Sequence, residues 1–451
     1  MPPQISHSRW LLPSAWSLGA LALAGCASYP ERTASALRDF QGGQFEHALE
    51  AFADVQRVGS PFLSGAEAGT VALTMGDWEA ARLHLSRAVA AASDIEGRAL
   101  AGPERLGETL ASWALNDSTR AYEGEGFERV YLHCALAQAY LAEGKVDDVY
   151  VEARLANQLL ETEEELYETK YQAGGWGHLL SAVTYELIGQ RDQAYVDYQR
   201  MVEKGVGTSL AGRALVRLAR ELGRTDELRR LEQEFGVDLE RPAGAASIVV
   251  LGAVGLGPYK VETILPVPTP DGLFQMAVPG YVERPPTSEG LRLVHAPSQE
   301  SVRTDLVESV SRVARENLED RLLWIAAKSI ARGLLKRELT KELEDEFDVA
   351  GRVLGDLFTF ATERADLRCW QTLPDSFQAC RMFVAPGTHQ FRLEAIGGDS
   401  VDLGWFELDP GETMLVFART LGPRVHASVI GGKRIDDPRA APGAPDPTQD
   451  P

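Results

Sequence analysis

The alternation of apolar and polar residues changes character three times along the chain. Trp10 to Ala24 is mostly apolar, with Leu11, Leu12, Leu18, Leu21 and Leu23 as its most hydrophobic positions. From about residue 32 to 236 the apolar residues recur at helical spacing, punctuated by glycines, and this predicts a series of paired helices. After a break around Arg241-Pro242-Ala243-Gly244, short β-branched or alternating runs follow at Ile248–Leu251, Tyr259–Leu265, Leu273–Val278 and Leu291–His295, separated by Pro266, Pro268, Pro270, Pro285 and Pro286. A second set lies at His389–Ala395, Val401–Glu407, Glu412–Arg419 and Arg424–Ile430. Phe391, Leu393, Ala395 and then Leu403, Trp405 keep a period of two, so these runs predict a sheet with one buried face. Between the two sets, Gln299 to Glu363 predicts helix. There Leu323, Ala327, Ile330 and Leu334 form an apolar stripe, and Lys328, Arg332, Lys336 and Arg337 a basic one. A sheet-covering helix with a solvated face accounts for that pattern, and a membrane-surface or docking strip is the alternative.

The glycines of the helical half mark a repeat. Gly43-Gln44-Phe45-Glu46-His47-Ala48 recurs as Gly76-Asp77-Trp78-Glu79-Ala80-Ala81, and related segments begin at Gly144, Gly189 and Gly223. The glycines are 33, 68, 45 and 34 residues apart: two near-single steps, one double step and one step with an insertion. Glycine ends a first helix in the left-handed region, and a large side chain two residues on packs into the pair. A small residue, Ala48 or Ala81, then admits the second helix, with Phe52 and Leu85 one turn further along the same face. Leu136, Ala137 and Tyr140 before Gly144, with Ala153 and Ala156 after it, keep the same offsets. This resembles a tetratricopeptide array of about five units, which implies a curved solenoid whose concave face commonly holds a peptide or a partner helix. Residues 103–130, with Gly124, Gly126 and many short polar side chains, predict a structured loop between the second and third units.

The opening segment has the parts of a secretory signal: a weak cationic start at His7 and Arg9, then the apolar stretch. Fifteen helical residues span about 22 Å, short of a hydrocarbon core of roughly 30 Å, so the stretch predicts a signal rather than an anchor. Leu23-Ala24-Gly25-Cys26 resembles the lipobox of bacterial lipoproteins. The resemblance implies cleavage between Gly25 and Cys26 and lipidation of the Cys26 thiol, by acyl chains of the palmitate type. With Ala27 rather than aspartate next, it also implies an outer-membrane location facing the periplasm. Several acyl chains together anchor far better than one.

Composition narrows the function further. The 451 residues carry a net charge of −21. Without Arg9, 44 Lys and Arg face 66 Asp and Glu, net −22. Such a surface repels nucleic acid, which is excluded as a general partner. None of the four cysteines forms a CxxC pair, and no GxxxxGK, HExxH or GxSxG occurs, so no metal, no cofactor and no catalytic residue is assigned. Gly252 to Gly257 has the wrong glycine order for a dinucleotide loop, and Pro258 follows where a helix must start. His47, His84, His133 and His178 read as surface or packed side chains, and Cys134 as a buried thiol. Cys369 and Cys380, eleven apart in a chain expected in an oxidising compartment, are a candidate disulfide that would contribute up to about 3 kcal/mol.

Three stretches together carry a wider resemblance. They are Leu115 to Glu128, Asn317 to Leu322 leading into Ile330-Ala331-Arg332, and Asp366-Leu367-Arg368-Cys369-Trp370-Gln371-Thr372-Leu373-Pro374 leading to Pro386-Gly387-Thr388-His389. They resemble an uncharacterised bacterial lipoprotein family with tetratricopeptide-like repeats and a C-terminal mixed domain. The resemblance implies an architecture and carries no activity. The fold class is thus α+β, an all-α solenoid followed by a smaller mixed domain with an antiparallel sheet. Its parts are a signal (1–25), a lipidated tether (26–31), repeats (32–236), a linker (237–246), the α+β domain (247–430) and a disordered tail (431–451). The function this points to is a lipid-anchored periplasmic adaptor, not an enzyme, with an envelope protein or peptide on its solenoid and the membrane held through Cys26. A regulator of peptidoglycan synthesis, a factor in surface polysaccharide or appendage assembly, and a glycan-acting envelope enzyme are the alternatives.

Overall fold

A computed structural model of the chain describes residues 28–107, 121–237, 241–269, 272–324 and 365–438. The helical half consists of stacked hairpins. Tyr29–Gly42 pairs with Phe45–Ala53, Pro61–Met75 with Trp78–Leu100, and Gly126–Ala142 with Val146–Tyr167. Gly175–Leu187 then pairs with Arg191–Glu203, and Thr208–Glu221 with Thr225–Phe235. Each hairpin turns at one of the glycines of the repeat, Gly43, Gly76, Gly144, Gly189 or Gly223, whose φ values lie between 69° and 81°. That left-handed geometry costs a residue with a Cβ roughly 1 kcal/mol, which is why glycine recurs there. Ala48, Ala81, Phe52 and Leu85 are fully buried, as the repeat predicts. Within the second hairpin the helices nearly touch: a Cβ on Gly65 would stand 2.5 Å from the His84 carbonyl oxygen.

Two helix starts differ from the sequence reading. The first helix begins at Tyr29, inside the segment read as a tether. The Ser28 side chain pairs with the third helical residue, whose Glu31 carboxylate accepts from the Ser28 N–H at 2.7 Å. Pro30 supplies a preset φ in the first turn. The segment read as a loop contains helix at 103–107, and Gly126 opens another because Glu125 and Glu128 form the same reciprocal cap. Residues 108–120 of that segment lie outside the described residues.

The strands are β1 (Ala246–Val254), β2 (Tyr259–Thr269), β3 (Gly272–Val282), β4 (Leu291–His295), β5 (Ser301–Arg303) and β6 (Asp305–Ser309). After them come β7 (Ser376–Val384), β8 (Gly387–Ala395), β9 (Ser400–Leu408), β10 (Thr413–Leu421), β11 (Arg424–Ile430) and β12 (Lys433–Ile435). One sheet runs β11-β10-β1-β7-β6, a second β12-β9-β8-β4-β5, and β2 and β3 pair with each other. The first sheet is mixed rather than antiparallel, because β1 and β10 run parallel from Ser247↔Thr413 to Ala253↔Arg419. β5 and β6 occupy the start of the predicted Gln299–Glu363 helix. Helix is found at 310–324, and the basic stripe from Lys328 onward lies outside the described residues. β12 falls in the segment read as a disordered tail, held by pairing of Lys433–Ile435 with Glu407–Trp405 of β9.

The central strands β1, β7 and β10 of the first sheet are buried on both faces, and side-chain alternation sorts their residues between two cores. Ile248, Val250, Cys380, Met382, Met414 and Val416 pack against Leu293, Phe391, Leu393 and Phe406 of the second sheet. Their neighbours Val249, Leu251, Phe377, Ala379, Leu415 and Phe417 belong to the same continuous core as the helices. The described residues thus stack in layers, solenoid on sheet on sheet. Within the segment read as a linker, Arg241 is docked as well, its guanidinium 4.7 Å from the Phe383 ring centre. Among the described residues no helix is long and apolar enough to cross a membrane.

Candidate functional site

The surface a tetratricopeptide array usually offers to a partner is its concave face, and here that face is filled by the chain itself. The Pro61–Met75 helix buries an unbroken run from Phe62 to Ala72, and in the middle of it stands one acid, Glu67, fully buried. Its carboxylate accepts from the Gln371 N–H at 2.7 Å and the Thr372 N–H at 3.0 Å, and from the Tyr29 hydroxyl at 2.5 Å. One hairpin further along, buried Glu128 accepts from the Trp370 N–H at 2.7 Å and the Tyr122 hydroxyl at 2.6 Å. Two helical acids thus grip three successive backbone amides of the 369–372 segment. The Trp370 indole N–H completes the contact, 3.1 Å from the Thr70 hydroxyl. Hydrogen bonds to an ionised group contribute roughly 1.5–3 kcal/mol each, and leaving such an acid unpaired inside would cost more.

The electrostatics follow from burial. Desolvation pushes the Glu67 carboxyl up to about 7, against the pull of its hydrogen bonds. Glu128 is raised for the same reason, with the neighbouring Glu125 charge adding to it. Glu125 shows the opposite balance. Burial opposes its ionisation, but the ion pairs with Arg321 and Lys260 outweigh burial and hold it at about 2. Lys260 belongs to β2, so this pair also joins the repeats to the C-terminal half.

Two more anchors extend the seam. Glu308 of β6 reaches back into the solenoid and accepts from the Tyr131 hydroxyl at 2.8 Å, the Gly174 N–H at 3.1 Å and the Trp176 N–H at 2.9 Å, which caps the start of the Gly175–Leu187 helix. At that helix's far end Glu186 holds Arg381 of β7 through both oxygens, at 2.6 and 3.0 Å, and Arg217 at 2.7 Å. Burial opposes this ionisation too, yet Arg381 and Arg217 keep Glu186 at about 2. Between the anchors the rings interlock: Trp176 stacks on Phe377 at 4.5 Å, and Trp78 tilts onto Phe417 at 5.2 Å.

Of the residues singled out from sequence, Gly25 and Cys26 lie outside the described residues. Cys369 and Cys380 do not form the candidate disulfide. Both thiols are free, and they sit in different surroundings, Cys380 in the core between the sheets and Cys369 beside Lys260. Burial pushes each up to about 12. Cys134 is buried. His133 and His178 are packed: His133 lies 2.5 Å from Glu152, and His178 3.0 Å from Asp197, which also accepts from the Ser181 hydroxyl at 2.7 Å. The acids of the seam were not singled out from sequence. A lone Glu67 within fifteen otherwise uncharged helical residues is the signal that could have found one of them.

No protein-family model matches the sequence, and no curated protein is similar to it. Solved structures offer partial likenesses. The crystal structure of MamA protein is 14% identical over 47% of this chain and 98% of that one, with a TM-score of 0.30. TPR-like repeats of a kinesin light chain from Podosopora anserina are 17% identical over 45% and 91%, at 0.29. PilW, a type IV pilus biogenesis factor, is 12% identical over 46% and 91%, at 0.24. The tetratricopeptide-like architecture rests on the hairpins and their glycine turns described above.

Proposed function

We propose that the chain is a lipid-anchored adaptor, held through Cys26 at the periplasmic side of the outer membrane, and that its protein partner docks on the outer surface of the repeats. The observation that carries this reading is the filled concave face, which among the described residues leaves the outer face as the repeat surface open to a partner. There, a groove of about 430 Å³ runs between the Val146–Tyr167 and Arg191–Glu203 helices. Tyr150 and Tyr185 stack in it at 4.3 Å, with Arg154 and Arg200 at its sides. Tyrosine and arginine in a groove are the residues that most often dominate protein interfaces. The short tether supports the anchoring. Tyr29 is already buried with its hydroxyl on Glu67, so a lipid on Cys26 would hold the folded body within roughly 10 Å of the membrane at about 3.5 Å per residue.

Crosslinking in living cells tests both halves, using a photoreactive residue at Gln158 and comparing the unaltered chain with Cys26→Ala and Tyr150→Ala. A partner captured by the anchored chain and lost with Tyr150→Ala is the result the reading requires. A Cys26→Ala protein that still fractionates with membranes would overturn the anchor. An identical capture profile with Tyr150→Ala would overturn the outer groove.

A further inference from the structure

Between the first sheet and the inner wall of the solenoid the packed layers leave a cavity of about 50 Å³, lined by Trp370, Trp176, Phe417 and Arg419 among others. Arg419 stands in β10 on the face that packs against the helices, and it is 4% exposed. Its orientation is set: Nη2 donates to the Thr372 carbonyl at 2.9 Å, and the guanidinium lies 5.7 Å from the Phe40 ring centre. Nε and Nη1, both buried, have no partner, and neither has Nε2 of His426, which lines the same cavity.

Other buried guanidiniums of the seam have an acid. Arg129 pairs with Glu163 at 2.8 Å, and Arg217 with Glu186 at 2.7 Å. Among the described residues Arg419 pairs with no carboxylate, and the charge that acts on it, Arg284, is of its own sign. Burial and then Arg284 bring its pKa down to about 9, which leaves it a cation at neutral pH. A buried cation without a counter-charge is strongly disfavoured, so the site is incomplete as it stands.

We propose that this cavity is a carboxylate-binding site, with the carboxylate accepting from an idle N–H of Arg419 and its carbon end against Trp370 and Phe417. Size, shape and charge each select for it. A cavity that holds benzene measures about 150 Å³, so 50 Å³ admits a carboxylate with one or two further carbons and excludes an aromatic acid. Nη2 has a second N–H beside the one given to Thr372, and with the idle neighbour on that side it forms a planar fork that matches two carboxylate oxygens, an arrangement a spherical halide lacks. Walls this apolar penalise a doubly charged phosphate or sulfate more than a monoanion. Thr74 and Gln138, half-buried at the cavity's margin, form its mouth. The carboxylate can be a free short-chain acid, or one carried on a peptide that reaches through that mouth.

Saturation-transfer NMR on the mature chain tests the site, with acetate as the free acid and chloride balancing the ionic strength. Glycylglycine and its C-terminal amide form the peptide arm. The variants are Arg419→Met, which removes the cation, and Thr74→Trp, which plugs the mouth and leaves Arg419 in place. Transfer to the acetate methyl, weakened at least tenfold in either variant, is the expected result. Transfer to glycylglycine but not to its amide or to acetate would assign the site to a chain-borne carboxylate. If Arg419→Met does not fold, Thr74→Trp decides. No transfer to acetate or glycylglycine in the unaltered chain, or undiminished transfer in Thr74→Trp, would overturn the proposal and leave water as the occupant.

Discussion

Glu67 is the residue on which the seam between the two halves turns. An acid in the middle of an apolar helix is tolerated only if something supplies hydrogen-bond donors, and the donors here come from backbone three hundred residues away. This carboxyl has a pH consequence whose sign is fixed by the direction of its shift. Folding raises it from 4.5 to about 7, so between those values the folded chain binds more protons than the unfolded one. Stability due to this group therefore falls as pH rises from about 4.5 to about 7 and is level above that. Glu128 and Glu308 are raised as well and act in the same direction. Glu125 and Glu186, held at about 2, act oppositely: what they contribute is present above 4.5 and is lost as pH falls toward 2. Urea titrations at closely spaced pH values should show the neutral-side slope, and Glu67→Gln should flatten it. Because Gln places a second donor against the Thr372 N–H, that variant should also be less stable by about 2–4 kcal/mol at pH 7. An unchanged slope in Glu67→Gln would refute the assignment.

At the scale of the element, glycine serves two different purposes in the helical half, and substitution separates them. Gly144 has a φ of 70° and open space where a Cβ would go, so Gly144→Ala should cost only the backbone strain, about 1 kcal/mol. Gly65 is helical, but its Cβ would meet the His84 carbonyl and Ala88. Gly65→Ala must push two helices apart, and about 2–3 kcal/mol is the scale for such overpacking. Chemical denaturation of the two variants under one set of conditions checks the order. Equal losses would mean that the second hairpin can relax, contrary to the close contact observed. Strands carry a parallel lesson. β8 and β9 were legible because one face meets solvent and the period of two survives. β7, Ser376–Val384, went unread because both of its faces are covered, which erases the alternation, and because Gln378 and Arg381 interrupt the apolar run that marks β1 and β10.

For the whole molecule, the shared core joins what the sequence presents as two domains. Val249, Leu251, Phe377 and Phe417 lie in one continuous apolar cluster with Phe40, Leu85 and Trp176. The halves should therefore unfold together. Calorimetry on residues 28–451 is expected to give a single transition, and a fragment ending at residue 237 should melt well below it, with its concave face exposed to a hydrophobic dye. Two well-separated transitions, or a fragment as stable as its parent, would show that the seam contributes little.

The sequence by itself determined the repeat and its turns. The left-handed backbone at Gly43, Gly76, Gly144, Gly189 and Gly223 is a local requirement, and the small residues that follow are read at fixed offsets. It also marked strands, by alternation or by unbroken apolar runs. Tertiary structure alone decided that Glu67 is buried and which donors answer it. Whether the groove of a solenoid faces another protein or residues 369–372 of its own chain depends on contacts between segments three hundred residues apart, and no local pattern records them. The same holds for Cys369 and Cys380, whose spacing suited a bond while β7 carries Cys380 into the core between the sheets, away from Cys369 beside Lys260. It holds for Arg419 as well, an ordinary cation in the sequence and an unneutralised one only where the layers close over it.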